Sequence, residues 1–183
     1  MQTKKELIIK AGVKLFGKFG PRKTSIDEIV KEAKIAKGTF YLYFKNKEEL
    51  YKNIIKMFFK EGQKKIIKGI GKNKDIKEKV YTKLVISLKL FEKNDIIKNL
   101  VYGNIDYELG KISKEYMEKT HLSLLKGLLN DDNLDYKFVS NIFRFYINIL
   151  NMKSCFKTNI EFEKFSEKLA RVLVDGLFFE KND

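Results

Sequence analysis

The chain has no tryptophan, one proline and one cysteine among 183 residues. A single cysteine, Cys155, excludes an internal disulfide, in keeping with a reducing, cytoplasmic setting. One proline, Pro21, and 11 glycines leave few interruptions, which favours long helices over a many-stranded β sandwich with its frequent turns. Long hydrophobic runs are missing too. The longest uncharged stretch, residues 145–152, falls far short of the roughly 20 residues that cross a bilayer, so no membrane span is expected. The N-terminus mixes Lys and Glu with apolar residues instead of placing a basic tip before an apolar block, and does not read as a signal peptide. His121 is the one histidine and lies more than 30 residues from Cys155. With no metal-ligand spacing, phosphate-cradling glycine loop or nucleophile elbow, neither a metal, a cofactor nor catalysis is expected, and His121 and Cys155 read as structural.

What is present is enough for a folded, all-α protein. Apolar residues make up 44% and aromatics 13%, which supports a buried core, and the length fits one domain or a small module joined to a larger one. Lys and Arg number 38 against 24 Asp and Glu, a net charge of +14 that suits a polyanionic partner. Only Arg22, Arg144 and Arg171 are arginines, and Ile and Asn are abundant, so a coding bias towards AT-rich codons is a second source of the lysines. Distribution favours a site near the N-terminus. Residues 1–50 carry 12 basic and 6 acidic side chains, about twice the net charge per residue of the remainder.

From Ile8 the residues Ile8, Ala11, Gly12, Leu15, Phe16 and Phe19 recur at helical spacing, and Gly20-Pro21 stops that first helix. Ser25 with Glu28 three residues later is a capping box for a short second helix ending near Ala33. After the break at residues 34–37, Phe40 and Phe44 anchor a third helix, whose outward positions Gly38, Thr39, Leu42 and Tyr43 are uncharged. Asn46 and Glu49 cap a fourth helix running to Gly69-Ile70-Gly71. Asp75 and Glu78 cap the next, a short helix follows Asp95, Ser113 caps a helix to Leu129, and Asp131-Asp132-Asn133 reads as a loop.

The last two helices, expected over residues 135–153 and 160–179, are the most apolar. In the first, Phe138, Ile142, Phe145 and Ile149 form one stripe, and Val139, Phe143, Tyr146 and Leu150 form another. Two stripes need two surfaces to bury them. Together with Phe165, Leu169, Val172, Leu173 and Gly176 of the second helix, the first stripe is expected to pack on a second copy of the chain, as in a dimeric four-helix interface.

Two short helices separated by about four residues, preceded by a third, form a helix-turn-helix arrangement that can lay its last helix in a DNA major groove. Ala11, Leu15-Phe16, Gly20, Thr24-Ser25, Ile29 and Ala33 are followed by Ala36-Lys37-Gly38-Thr39-Phe40-Tyr41, Tyr43-Phe44 and Lys47-Glu48-Glu49-Leu50. In these residues the chain resembles the TetR family of bacterial transcription regulators, over about residues 7 to 55. The implied division is a DNA-binding domain over 1–48 and a helical ligand-binding and dimerisation domain over 49–183.

Each matching position has a physical role. Thr24 and Ser25 stand where hydroxyls and free N–H groups can hold a phosphate. Lys37 can reach a phosphate or a guanine edge, and Gly38 lets a backbone approach closely. Thr39 and Tyr43 point outward, and the resemblance implies a backbone contact for Tyr41. Lys47, a cation in the first turn of its helix, is poorly placed for the helix dipole and better explained by a phosphate. Leu42 departs from the family in a place where an exposed leucine can touch a thymine methyl. Lys34 stands where the family commonly has Gly, and left-handed geometry there costs roughly 1–2 kcal/mol. Pro21 replaces a common aromatic residue.

The resemblance also implies a homodimer on a palindromic operator, blocking transcription until a small molecule enters the C-terminal domain, moves helix 4 and respaces the heads. Phe58, Phe59, Phe91, Tyr102, Tyr107, Phe143 and Tyr146 are candidates to line an aromatic pocket for an apolar or planar effector. A basic helical module that binds a membrane surface or a protein is the rival reading, separated from the first by sequence preference among duplexes.

Overall fold

The computed structural model of the chain describes residues 2–71, 75–101, 107–129 and 135–178, and of residues 100, 101, 107–109 and 112 the backbone alone. Among the described residues there are helices and no strand. The order is α1 (Lys4–Phe19), α2 (Ile26–Ala33), α3 (Lys37–Tyr41), α4 (Lys47–Ile70), α5 (Ile76–Glu92), α6 (Asp95–Val101), α7 (Tyr107–Leu129), α8 (Tyr136–Asn148), a 3₁₀ segment (Ile149–Cys155) and α9 (Asn159–Leu177). None of these helices is long and apolar enough to cross a membrane.

Local chemistry sets most helix starts. Thr3 and Glu6 form a capping box before α1, Ser25 and Glu28 another before α2, and Asp75 accepts the Glu78 N–H at 2.8 Å before α5. Two boundaries differ from the sequence expectation. Ser113 does not start α7, which already runs from Tyr107; it is buried within the helix, its hydroxyl beside that of Tyr51. The helix expected to reach residue 153 ends at Asn148 and tightens into 3₁₀ turns. The loop expected at Asp131-Asp132-Asn133 lies outside the described residues.

The chain divides into two compact units, one of residues 1–60 and 94–117, the other of residues 61–93 and 118–183. The first therefore extends beyond the division after residue 48 that the sequence suggested. It recruits α6, whose Ile96 and Ile97 are buried and whose Asn99 Nδ2 donates to the Gly17 carbonyl at the end of α1. Its core gathers Ile8, Leu15, Phe16, Ile29, Phe40, Phe44, Leu50 and Tyr51. Gly12 lets α1 lie close to α4, where a Cβ would meet Leu50 Cδ2 at 2.9 Å and Ile54 Cδ1 at 3.0 Å and those side-chain ends would have to give way. In the second unit α5, α8 and α9 pack on one another around Leu84, Leu88, Val139, Phe143, Tyr146, Phe162 and Val174.

Candidate nucleic-acid interface

The first unit holds α2 and α3 by a three-residue turn in which Lys34 takes φ 53° and ψ 49°, a left-handed conformation that glycine adopts without strain. That turn aims α3 outward. Phe40 and Phe44 are sunk into the core, and the same turn of chain leaves Tyr41 51%, Leu42 81% and Tyr43 40% exposed. The α-helix closes at Tyr41, earlier than the periodicity implied; Leu42 caps it, and Tyr43 and Phe44 donate their N–H groups to the Phe40 carbonyl. Gly38 faces open space, with no atom within 4 Å of the position a Cβ would take. Neither backbone conformation nor internal packing asks for glycine here, although it weakens a helix by about 1 kcal/mol relative to alanine. Thr39 is half-buried beside it.

The charged and hydroxylated candidates are more engaged. Lys37 pairs with Asp27 of α2 at 2.8 Å, a solvent-exposed contact that raises the lysine pKa and is weak enough for a phosphate to replace it. Lys47 Nζ donates to the carbonyls of Thr24 (3.0 Å) and Arg22 (3.4 Å), so its intramolecular task is to satisfy the corner between α1 and α2. Thr24 is a correction: it is buried, and its hydroxyl donates to the Gly20 carbonyl at 2.9 Å, leaving no side-chain group for a phosphate. Ser25 is exposed but committed. Its Oγ and its N–H both donate to the Glu28 carboxylate at 2.7 Å, and the backbone hydrogen bond from Ser25 holds that carboxyl below its ordinary pKa. An anion belonging to the chain thus already occupies the start of α2. Sequence reasoning missed Asp27 as the lysine's partner and the exposed bases Arg22, Lys23, Lys34 and Lys45 that bracket α3 in the chain. Their charge was the available signal.

The remaining candidates lie elsewhere. Phe58 and Phe59 belong to the first unit, where Phe59 packs against Tyr116 at 6.0 Å between ring centroids. Phe91, Phe143 and Tyr146 belong to the second. Tyr146 is fully buried and donates its hydroxyl to the Ser166 carbonyl, the bond of a core tyrosine. Tyr102 lies outside the described residues, as does the side chain of Tyr107. On the outer faces of the last two helices, Phe138 is 52%, Phe145 59% and Val172 66% exposed, Ile142, Phe165, Leu169 and Leu173 are half-buried, and Gly176 is open. Ile149 is a correction, since it starts the 3₁₀ segment, which turns it inward, and it is only 4% exposed.

Comparison with known proteins agrees with this geometry. A family model described as bacterial regulatory proteins, tetR family, matches residues 8–54. The chain is 29% identical over 130 residues to the uncharacterized HTH-type transcriptional regulator YhgD of Bacillus subtilis, covering 70% of this chain and 68% of that one. It is 31% identical over 130 residues to the fatty acid metabolism regulator protein of the same organism, covering 67% of this chain and 61% of that protein, under two thirds of its length. A second HTH-type regulator of that organism is matched over 46% of its length. Among solved structures, the transcriptional regulator FadR from Bacillus subtilis in complex with stearoyl-CoA superposes with a TM-score of 0.71 at 23% identity, covering 93% of this chain and 98% of that one.

Proposed function

The chain belongs, through residues 8–54, to the TetR family of bacterial regulatory proteins, and on that footing we propose that it is a ligand-responsive repressor binding a palindromic operator as a homodimer. The observation that carries the DNA-reading part is the surface from Gly38 to Tyr43: a glycine no internal contact requires, followed by Tyr41, Leu42 and Tyr43 held out of the core. Exposing large apolar side chains on a short turn has a physical reason if a groove covers them. Gly38 lets the nucleic-acid backbone come close, Leu42 meets a thymine methyl, Thr39 and Tyr43 contact bases or phosphates, and Tyr41 contacts the backbone. Lys37 exchanges Asp27 for a phosphate, and Lys47 adds charge from the corner. Ser25 contributes where Glu28 yields its place.

The homodimer is supported by the exposed apolar face of α8 and α9 around Phe138, Phe145 and Val172, beside Gly176, where a second helix can approach closely. In it two copies of α3 enter successive major grooves about 34–36 Å apart. An effector taken up by the second unit acts through α4, which runs unbroken from residues of the first unit into residues of the second. It releases the operator to the extent that it binds the two head spacings with different affinity. Because a relative is named for fatty acid metabolism and a solved neighbour holds stearoyl-CoA, compounds with a long acyl chain are the first effectors to try. Selection of bound duplexes from a random pool tests the reading: an enriched inverted repeat is expected, and a pool that stays unenriched after repeated rounds contradicts it.

A further inference from the structure

The interior of the second unit contains two bases in contact and, among the described residues, no acid bonded to either. Lys83 on α5 is 3% exposed. Its Nζ lies 2.5 Å from Nε2 of His121 on α7 and 3.4 Å from the ring centroid of Phe143 on α8, and Phe143 in turn meets the imidazole edge-on at 4.6 Å. A buried amine is costly unless an opposite charge compensates it, and an apolar side chain in the same place, next to the fully buried Leu84, would avoid that cost. Here the partner is a second base, an imidazole that donates or accepts according to its tautomer and brings no negative charge. Among the described residues, Arg144 of α8 is the other charged group acting on His121, and it is ion-paired with Glu118 of α7. Burial lowers both bases well below their ordinary pKa values, and the positive charge of Arg144 adds to the effect on His121.

Among its described residues such a site lacks one component, a negative charge, and its surroundings say what should accompany it. We propose that Lys83 and His121 are the recognition pair for an oxyanion carried on an apolar body, an apolar carboxylic acid whose chain lies against Phe143. The inference rests on reading the second unit as the effector-binding part. His121 keeps partial contact with solvent while Lys83 does not, so the imidazole meets the carboxylate first. The amine and the imidazole then each donate an N–H to it, and the pair draws a proton from solution as it becomes the counter-ion. No bond to carbon forms or breaks.

Titration calorimetry of the full chain with decanoate, decanol and decyltrimethylammonium, repeated in two buffers of different ionisation heat, tests this. Decanoate is expected to bind at least about tenfold more tightly than decanol, with net proton uptake, because a charge-assisted pair is worth more than a neutral one. Lys83→Met and, separately, His121→Gln should each remove that preference. Equal binding of decanoate and decanol, preferred binding of the ammonium, a preference that survives Lys83→Met, or no binding by any probe overturns the proposal. Binding of decanol without preference for the acid would leave an apolar effector standing and remove only the acid-reading pair.

Discussion

At the scale of single residues, two backbone positions carry opposite messages. Lys34 holds a left-handed conformation that a Cβ makes unfavourable, and the fold tolerates it to aim α3. Lys34→Gly is expected to raise stability by about 0.5–1 kcal/mol, the relief of strain less the entropy of the unfolded glycine, as read from denaturant midpoints; a lower midpoint would contradict it. Gly38 is a glycine that the isolated fold does not need. Gly38→Ala should therefore raise the melting temperature while weakening operator binding about tenfold or more, and an alanine variant with unchanged affinity would return Gly38 to the background. Lys83 gives a pH signature. Its folded pKa is depressed well below the ordinary 10.5, so between the folded value and 10.5 the unfolded chain binds a proton that the folded chain does not. Stability from this group consequently rises as pH rises towards 10.5, with a slope of up to about 1.4 kcal/mol per pH unit. Lys83→Met should be more stable than the parent at pH 7, and its advantage should shrink on the approach to pH 10.5. A constant advantage would mean that the lysine is charged in the folded chain. His121 works in the same sense below 6.5, where acid destabilises the fold.

At the scale of elements, what was legible was what is local. The Ser25 and Glu28 box, the Asn46 and Asp75 caps, and the inward pair Phe40 and Phe44 follow from residues three or four apart, and each appears as the spacing implies. Thr24 was misread because burial of its hydroxyl depends on the Gly20 corner folding back, which no spacing reports. Lys47 likewise finds its acceptors 23 and 25 residues away, and Lys83 meets His121 across 38. The two stripes of α8 were legible as a pattern, yet the place where the helix tightens into 3₁₀ turns and carries Ile149 inward was not. The outer stripe makes the prediction at this scale. Phe145 is 59% exposed, so Phe145→Asp should leave helicity intact while sedimentation shows monomers in place of dimers. A dimer that persists would remove α8 from the interface.

At the scale of the whole molecule, α4 and α7 each supply residues to both compact units. The excess of lysine serves affinity for any polyanion, whereas the uncharged surface from Gly38 to Tyr43 serves discrimination, and only the latter separates a regulator from a general basic protein. The most direct test is a titration of the full chain, at about 0.15 M salt, with the duplex enriched by selection and with the same duplex after its bases are shuffled. The account predicts two chains per enriched duplex and a preference of at least about a thousandfold over the shuffled one. Equal affinity for both duplexes at every salt concentration would contradict it.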